Sequence, residues 1–148
     1  LDNVLKDPEH TYRLIQNEGT GLMIQGTRDW HDYTVSAAMT PHLARSFGVA
    51  ARVQGLKRYY ALRLTAGGKA QLIRELDGTA VLAEAPLVWE LYRAYRLALT
   101  VRGSRITAAV DGQVLFEVED PGPLAGGAIG LLVEEGRVGC DDVTAVPA

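Results

Sequence analysis

Apolar and polar residues alternate with a period of two along most of this chain. The runs 33–40, 95–102 and 114–118 show the alternation clearly. Successive side chains of a β-strand point to opposite faces, so this pattern predicts strands with one buried face. Only the stretch 86–93 has spacing that hints at a helix. Because it is so short, we predict a connecting loop there.

Pairs of turn-forming residues separate these runs. Gly, Asn and Asp adopt the positive φ of tight hairpins at low cost, so such pairs predict hairpin turns. Together they predict two meanders, over residues 58–84 and 94–118, joined by the 86–93 connection. The turn pairs are Gly67-Gly68, Asp77-Gly78, Gly103-Ser104 and Asp111-Gly112. Further strands are predicted at 11–16, 21–25, 31–40, 47–54, 127–134 and 137–146.

About a dozen short antiparallel strands with no helix between them indicate the fold class. We predict an all-β, antiparallel two-sheet jelly-roll sandwich. No repeat, low-complexity tract or linker divides the sequence, so residues 1–148 are predicted to form a single domain. Leu99 and Phe116 are predicted to face inward from adjacent strands.

Composition narrows the functional classes. The 148 residues are 47% hydrophobic and 22% charged, which is typical of a globular protein. A net charge of −3 argues against a nucleic-acid-binding module. No apolar run approaches the roughly 20 residues of a membrane span. We therefore expect neither nucleic acid nor membrane as a partner.

The single cysteine and the first residue bear on the protein's context. Cys140 is alone, which excludes an intrachain disulfide and a zinc site of several cysteines. One thiol fits a reducing compartment, so we expect a cytoplasmic location. The sequence begins at Leu1 with no secretory segment. This suggests a domain excised from a larger protein.

No catalytic constellation is recognisable from the residues. His10, His31 and His42 are scattered, and no nucleophile elbow, phosphate-binding loop or dinucleotide fingerprint is present. The sequence therefore predicts no catalytic residue and no cofactor within this domain.

A ligand surface is predicted on the polar side of two central strands. If the valines of the run 47–54 face the core, Arg52 and Gln54 lie on the opposite face, and Tyr59 and Arg63 project with them. Arg, Gln and Tyr together can hydrogen-bond hydroxyls or phosphate and stack on a ring. The alternative is an ordinary solvated sheet face.

Other side chains extend this hypothesis. Gln71 and Glu75 are expected to continue the same surface on the next strand. Trp89 follows Pro86 in the predicted connection, where it would either stack on a sugar ring or plug an open end of the sandwich. The same two interpretations apply to Trp30.

Several segments together resemble concanavalin A-like (laminin-G-like) jelly rolls. The chain is most similar to the accessory domain at the carboxyl end of bacterial ADP-ribosylglycohydrolases of the ADP-ribosylation/crystallin-J type. The resemblance covers nearly the whole chain, and similar modules occur in keto-disaccharide hydrolase-type proteins. It rests on residues 18–30, 48–55, 58–63, 89, 110–116 and 136–143.

The resemblance implies a partner and a role. The partner would be the catalytic domain of the same parent chain, a hydrolase of ADP-ribosyl groups whose magnesium-binding acidic motifs have no counterpart here. This domain would be a noncatalytic accessory module that binds a glycan or an ADP-ribose-like ligand. The alternatives are a structural interdomain module with no small-molecule ligand, and a sugar-processing domain of the keto-disaccharide hydrolase type.

The resemblance also implies one metal site. Many such jelly rolls bind structural calcium through an Asp on the last strand. Asp141 or Asp142 would match it, with Asp7 or Glu9 as companions. Calcium takes six to eight oxygen ligands, and this sequence offers few candidate carboxylates.

Overall fold

A computed structural model describes the backbone of residues 5–7 and all of residues 12–148, and in this part of the chain it contains eleven strands. None of these residues forms a helix of the length and apolarity that a membrane span requires. The strands are β1 (Leu5–Asp7), β2 (Tyr12–Gln25), β3 (Tyr33–Leu43), β4 (Ser46–Gly55), β5 (Arg58–Thr65), β6 (Lys69–Leu76), β7 (Thr79–Pro86), β8 (Tyr95–Arg102), β9 (Arg105–Val110), β10 (Gln113–Glu119) and β11 (Ala128–Pro147).

The strands form two packed antiparallel layers that meet at β11. Sheet I has the order β10-β9-β8-β3-β11, and sheet II continues from the same strand as β11-β4-β5-β6-β7. The second half of β11 pairs with β3, and its first half pairs with β4. Strand β2 runs along the other side of β11, and β1 also pairs with β11. The predicted two-sheet sandwich is confirmed.

A bulge marks the point where β11 passes from one sheet to the other. The register with β2 shifts between Glu134 and Gly136, and Glu135 has a φ of 44°. A Cβ at position 136 would lie 1.8 Å from the Leu43 carbonyl oxygen, so only glycine fits at this close approach. The bulge bends the strand, and β11 pairs with β4 before it and with β3 after it.

The apolar core lies between the two sheets and follows the predicted alternation. Tyr33, Val35 and Leu99 are buried, and Phe116 is nearly so. Leu99 and Phe116 are both in register with Ala108 on β9, so they face the core from either side of that strand. The predicted turns all lie between consecutive strands, and the 86–93 segment is a loop.

Three details differ from the sequence prediction. The predicted pairs 11–16 with 21–25, and 127–134 with 137–146, are each a single long strand, because pairing between β2 and β11 resumes directly after a bulge at residues 17–19 and Glu135. Val114 was expected to face the core with Phe116, but it is exposed, because a register shift between these two residues breaks the alternation.

A buried carboxylate fixes the loop after β10 to sheet II. Asp120 accepts hydrogen bonds from the Tyr60 hydroxyl at 2.6 Å, from Arg74 at 2.9 Å and from the Gly122 N–H at 3.1 Å. Burial by itself would raise the pKa of Asp120, but these hydrogen bonds outweigh it and lower that pKa. The Tyr60 hydroxyl also accepts the N–H of Leu124.

Candidate functional site

The outer face of sheet II carries a polar cleft. The strands packed against β4 and β5 are β3 and β8 of sheet I, and they lie on the inner face. Strand pairing arranges the outward side chains in rows. Arg63 of β5 is in register with Gln71 of β6, which is in register with Glu84 of β7. The next row contains Thr65 and Lys69.

We refer to this depression as the outer cleft. Its volume is about 450 Å³, which falls within the range of small-ligand pockets. Strands β5 and β6 form its base, and the β3–β4 and β5–β6 turns and β11 form its sides. It is lined by Arg45, Arg63, Thr65, Ala66, Lys69, Gln71 and Glu134.

A chain of hydrogen bonds orients the polar side chains of the base. Arg63 Nε donates to Gln71 Oε1 at 2.9 Å, and Gln71 Nε2 donates to Glu84 Oε2 at 2.8 Å. Lys69 Nζ lies 3.2 Å from Glu84 Oε1. The hydrogen bond from Gln71 and then that from Lys69 lower the pKa of Glu84. Glu84 is therefore an anion at neutral pH that holds both neighbours.

Main-chain hydrogen bonds place Arg45 at the side of the outer cleft. The Arg45 N–H donates to the Glu134 carbonyl at 3.0 Å, and the Ala66 N–H donates to the Arg45 carbonyl at 2.7 Å. The Arg45 guanidinium lies 3.8 Å from the Glu134 carboxylate and 3.6 Å from that of Glu135. These exposed pairs are long, and they leave the guanidinium able to reorient.

Gly48 of β4 lies beside Arg63 and adds no side chain to the base of the cleft. It is in register with Arg63 across the β4–β5 pair. A Cβ at position 48 would lie 1.9 Å from the Leu62 carbonyl oxygen and 2.8 Å from the Arg63 Cα. Close approach of the two strands therefore requires glycine here.

Tyr59 lies on the same strand face as Arg63, as the alternation predicted, but it offers no stacking surface. Its side chain is only 5% exposed and packs against Ala61, Ile73 and Leu132 in a small apolar cluster. Burial, followed by the charge of Glu75, raises the pKa of Tyr59. Tyr59 is therefore part of a small apolar cluster on the outer side of sheet II, next to the polar side chains of the cleft.

The prediction that Arg52 lies on the outer face is wrong, because β4 has a bulge at this residue. Arg52 has a φ of 49°, and the register with β5 shifts between Ala51 and Gly55. As a result, Ala51 faces the main core and Val53 faces the outer apolar cluster. Arg52 itself is 1% exposed and lies inside the sandwich.

The Arg52 side chain is fully engaged within the protein. Its guanidinium binds three main-chain carbonyls and one carboxylate, so it ties three separate loops together and has a structural role. The acceptors are His31 O at 2.9 Å from Nε, Gly103 O at 2.6 Å and Leu124 O at 3.0 Å from Nη1, and Asp32 Oδ1 at 3.0 Å from Nη2.

Gln54 and Trp89 also lie away from Arg63. Gln54 Nε2 donates to the Gly126 carbonyl at 2.8 Å, and the residue lines a separate cleft of about 300 Å³. Trp89 Nε1 donates to the Thr65 carbonyl at 2.8 Å, and the indole packs edge-on against Phe47 of the core. Trp89 therefore closes the sandwich, which is one of its two predicted roles. Of the five residues first predicted to bind the ligand, only Arg63 lines the outer cleft, together with Gln71, which was predicted to extend the surface.

Sequence reasoning missed four charged residues at this site, namely Arg45, Lys69, Glu84 and Glu134. Two of them were accessible in principle. A turn at Gly67-Gly68 pairs residue 65 with residue 69, and the next hairpin brings residue 84 beside residue 71. Arg45 and Glu134 come from distant parts of the sequence, and no local pattern indicates that they meet.

Of the predicted calcium ligands, Asp142 has another role in the described residues. Asp142 forms an ion pair with Arg96 at 3.1 Å, and it has a positive φ of 51° at a register shift with β3. In residues 12–148 no group of three or more His, Cys, Asp or Glu side chains is placed to hold a metal. The side chains of Asp7 and Glu9 lie outside the described residues. Calcium binding at Asp141 or Asp142 stays a prediction.

Comparison with solved structures shows the fold. The carbohydrate-binding module CBM66 from Bacillus subtilis superposes with a TM-score of 0.81 at 16% identity, over 97% of this chain and 94% of that one. The galectin LEC-6 from Caenorhabditis elegans gives a TM-score of 0.59 at 13% identity, over 99% and 96% of the two chains. These structures support the predicted jelly-roll sandwich.

A larger enzyme contains a similar domain. The β-fructofuranosidase of Aspergillus kawachii matches 99% of this chain with a TM-score of 0.71 at 12% identity, but only 27% of the enzyme's own length is covered. Neither a protein-family model nor a curated protein sequence matches this chain. None of the structures named here is an ADP-ribosylglycohydrolase, so that part of the resemblance gains no support from them.

Proposed function

We propose that this chain is a noncatalytic glycan-binding module and that its ligand binds in the outer cleft. The observation that carries the proposal is the cleft itself, a pocket of about 450 Å³ lined by three cationic side chains and by Thr, Gln and Glu. Such side chains donate to and accept hydrogen bonds from hydroxyl groups, which is the chemistry that sugar recognition needs.

The structural neighbours add support of a general kind. A carbohydrate-binding module and a galectin share this fold over nearly their whole length. A similar domain inside a fructofuranosidase agrees with an accessory role beside a catalytic domain of the same parent chain. The predicted ADP-ribosylglycohydrolase parent makes ADP-ribose a second candidate ligand. A binding assay should therefore include both oligosaccharides and ADP-ribose.

Isothermal titration with a panel of oligosaccharides and ADP-ribose tests the proposal. In Ala66→Trp a large side chain fills the outer cleft, and we expect binding of the best ligand to fall at least tenfold. Leu56→Trp is the matched control, because it adds the same group to the exposed β4–β5 turn, away from the cleft. Equal binding by wild type and Ala66→Trp would place the ligand elsewhere. If no ligand binds at millimolar concentration, the structural-module interpretation replaces this one.

A further inference from the structure

Arg63 differs from the other arginines in how its charge is balanced. The buried or half-buried Arg52 and Arg74 each pair with a carboxylate. Arg63 is also half-buried, but its only hydrogen-bond partner in residues 12–148 is the neutral amide of Gln71. The remaining described arginines without an ion pair are all exposed, and they are Arg13, Arg28, Arg58, Arg102 and Arg137.

This arrangement leaves a partly desolvated cation without an anion. Taking a guanidinium out of water is costly unless an anion or several acceptors compensate for the lost solvation. The carboxylates nearest the outer cleft are already engaged. Glu84 binds Gln71 and Lys69, and Glu134 lies beside Arg45. Among the described residues, Arg45 and Lys69 therefore have carboxylate partners, whereas Arg63 has only the neutral Gln71 amide.

The hydrogen-bond chain also fixes which edge of Arg63 is available. Glu84 accepts from the Gln71 amide nitrogen, so the Gln71 oxygen must point to Arg63 Nε. With Nε held in this way, the guanidinium keeps its two terminal nitrogens, Nη1 and Nη2, for a ligand. Two parallel N–H groups match the two oxygens of a carboxylate or phosphate, which is the strongest geometry for anion binding.

We propose that the ligand of the outer cleft is a saccharide that bears an acidic group, and that Arg63 binds this group through its two terminal nitrogens. The proposal rests on the glycan-binding function and specifies its ligand class. The acidic group can be the carboxylate of a uronic acid or the diphosphate of an ADP-ribose-like ligand, since both present paired oxygens.

Two sets of ligands, each with an acidic member and an uncharged counterpart, test this proposal. Trigalacturonate and its fully methyl-esterified form share the same sugar rings, and ADP-ribose is tested beside adenosine and ribose. We expect the acidic member of one set to bind wild type at least tenfold more tightly than its uncharged counterpart. Raising the salt concentration should weaken the binding of the acid more than that of the uncharged ligand.

Variants at Arg63 identify the residue responsible. Arg63→Gln should weaken binding of the acid about ten- to a hundredfold, which is the loss of one charge-assisted contact, and leave the uncharged ligand almost unchanged. Arg63→Lys keeps the charge but loses the paired N–H donors of the guanidinium, so we expect an intermediate loss of affinity for the acid. Arg102→Gln is the matched control, because it replaces an exposed arginine of sheet I that has no ion pair among the described residues. Circular dichroism and melting curves establish that each variant is folded.

The outcomes separate this inference from the proposed function. Equal binding of the acidic and esterified sugars, unaffected by Arg63→Gln but lost in Ala66→Trp, would overturn the acidic-ligand inference and leave glycan binding in place. Loss of acid binding in Arg102→Gln as well as Arg63→Gln would show a general charge effect and also overturn it. If neither sugars nor ADP-ribose bind, both proposals fail. Arg63-dependent binding of ADP-ribose alone would identify the diphosphate as the acidic group.

Discussion

Arg52 allows a sharp test of how the loops at one end of the sandwich are held. Its guanidinium binds Asp32 and the carbonyls of His31, Gly103 and Leu124 at 2.6–3.0 Å. Arg52→Ala removes all four hydrogen bonds, although Asp32 keeps the hydrogen bond that it accepts from the Gly103 N–H. Hydrogen bonds to charged groups contribute about 1.5–3 kcal/mol each but are not additive within one side chain.

The expected loss follows from this geometry. Asp32 is half-exposed and can be solvated without Arg52, so the loss comes mainly from the three carbonyls. A buried acceptor that loses its partner costs about 1–3 kcal/mol, and we expect the free energy of unfolding of Arg52→Ala to fall by about 3–5 kcal/mol in total. Domains of this kind are stable by roughly 5–15 kcal/mol, so the effect should be large in a urea titration. Arg52→Lys should lose less, because an ammonium group keeps the charge but cannot reach all four acceptors.

Arg102→Ala provides the control for the Arg52 variants. It removes an exposed arginine and should change the free energy of unfolding by no more than about 0.5 kcal/mol. An Arg52→Ala protein that unfolds within 1 kcal/mol (about the error of such measurements) of wild type would refute the structural role assigned to Arg52. A stable Arg52→Lys variant that loses ligand binding would restore the ligand role predicted from the sequence.

Four further predictions concern the core, a carboxylate, the thiol and calcium. Leu99→Ala should lower the free energy of unfolding by about 2–5 kcal/mol in a urea titration, and a midpoint like that of wild type would contradict its inward position. The lowered pKa of Asp120 stabilises the fold above the ordinary carboxyl pKa, and this stabilisation is lost as the pH falls through the lowered value. As the pH is decreased, the free energy of unfolding should therefore fall less in Asp120→Asn than in wild type. An equal fall in both proteins would argue against a stabilising role of the Asp120 carboxylate. Burial raises the pKa of Cys140 to about 12, so a thiol reagent should label it only after unfolding; rapid labelling of the native protein would disprove this. If calcium binds at Asp141 or Asp142, millimolar calcium should raise the melting temperature and Asp142→Asn, which also removes the ion pair with Arg96, should abolish the rise; an unchanged melting temperature of wild type would remove the predicted site.

The strands and turns could be predicted from the sequence because both depend on local properties. A period of two follows from strand geometry, and the Gly-containing pairs mark hairpins whose φ values few other residues adopt. The row that joins Arg63 to Gln71 follows from one such hairpin. This part of the outer cleft was therefore within reach of sequence reasoning, and Gln71 was predicted to extend the surface.

The remaining features depend on single bulges and on long-range pairing. A positive φ at Arg52 reverses the alternation of β4, and an Arg in a strand gives no sign of this in the sequence. The side of the cleft formed by Arg45 and Glu134 exists because β11 returns to pair with β4. Such pairing is set by the topology of the whole sandwich, so local patterns did not reveal it.

The crossing of β11 between the sheets has a consequence for synthesis on the ribosome. Strands β5–β7 and β8–β10 are consecutive hairpins and can form as soon as they emerge from the ribosome. Strand β3, which pairs with β8, and strand β4, which pairs with β5, each have one edge unpaired until β11 is synthesised. A nascent chain that ends before Ala128 therefore exposes two strand edges, which favour association with other chains. We expect the last step of folding to be slow, since long-range strand pairing closes late.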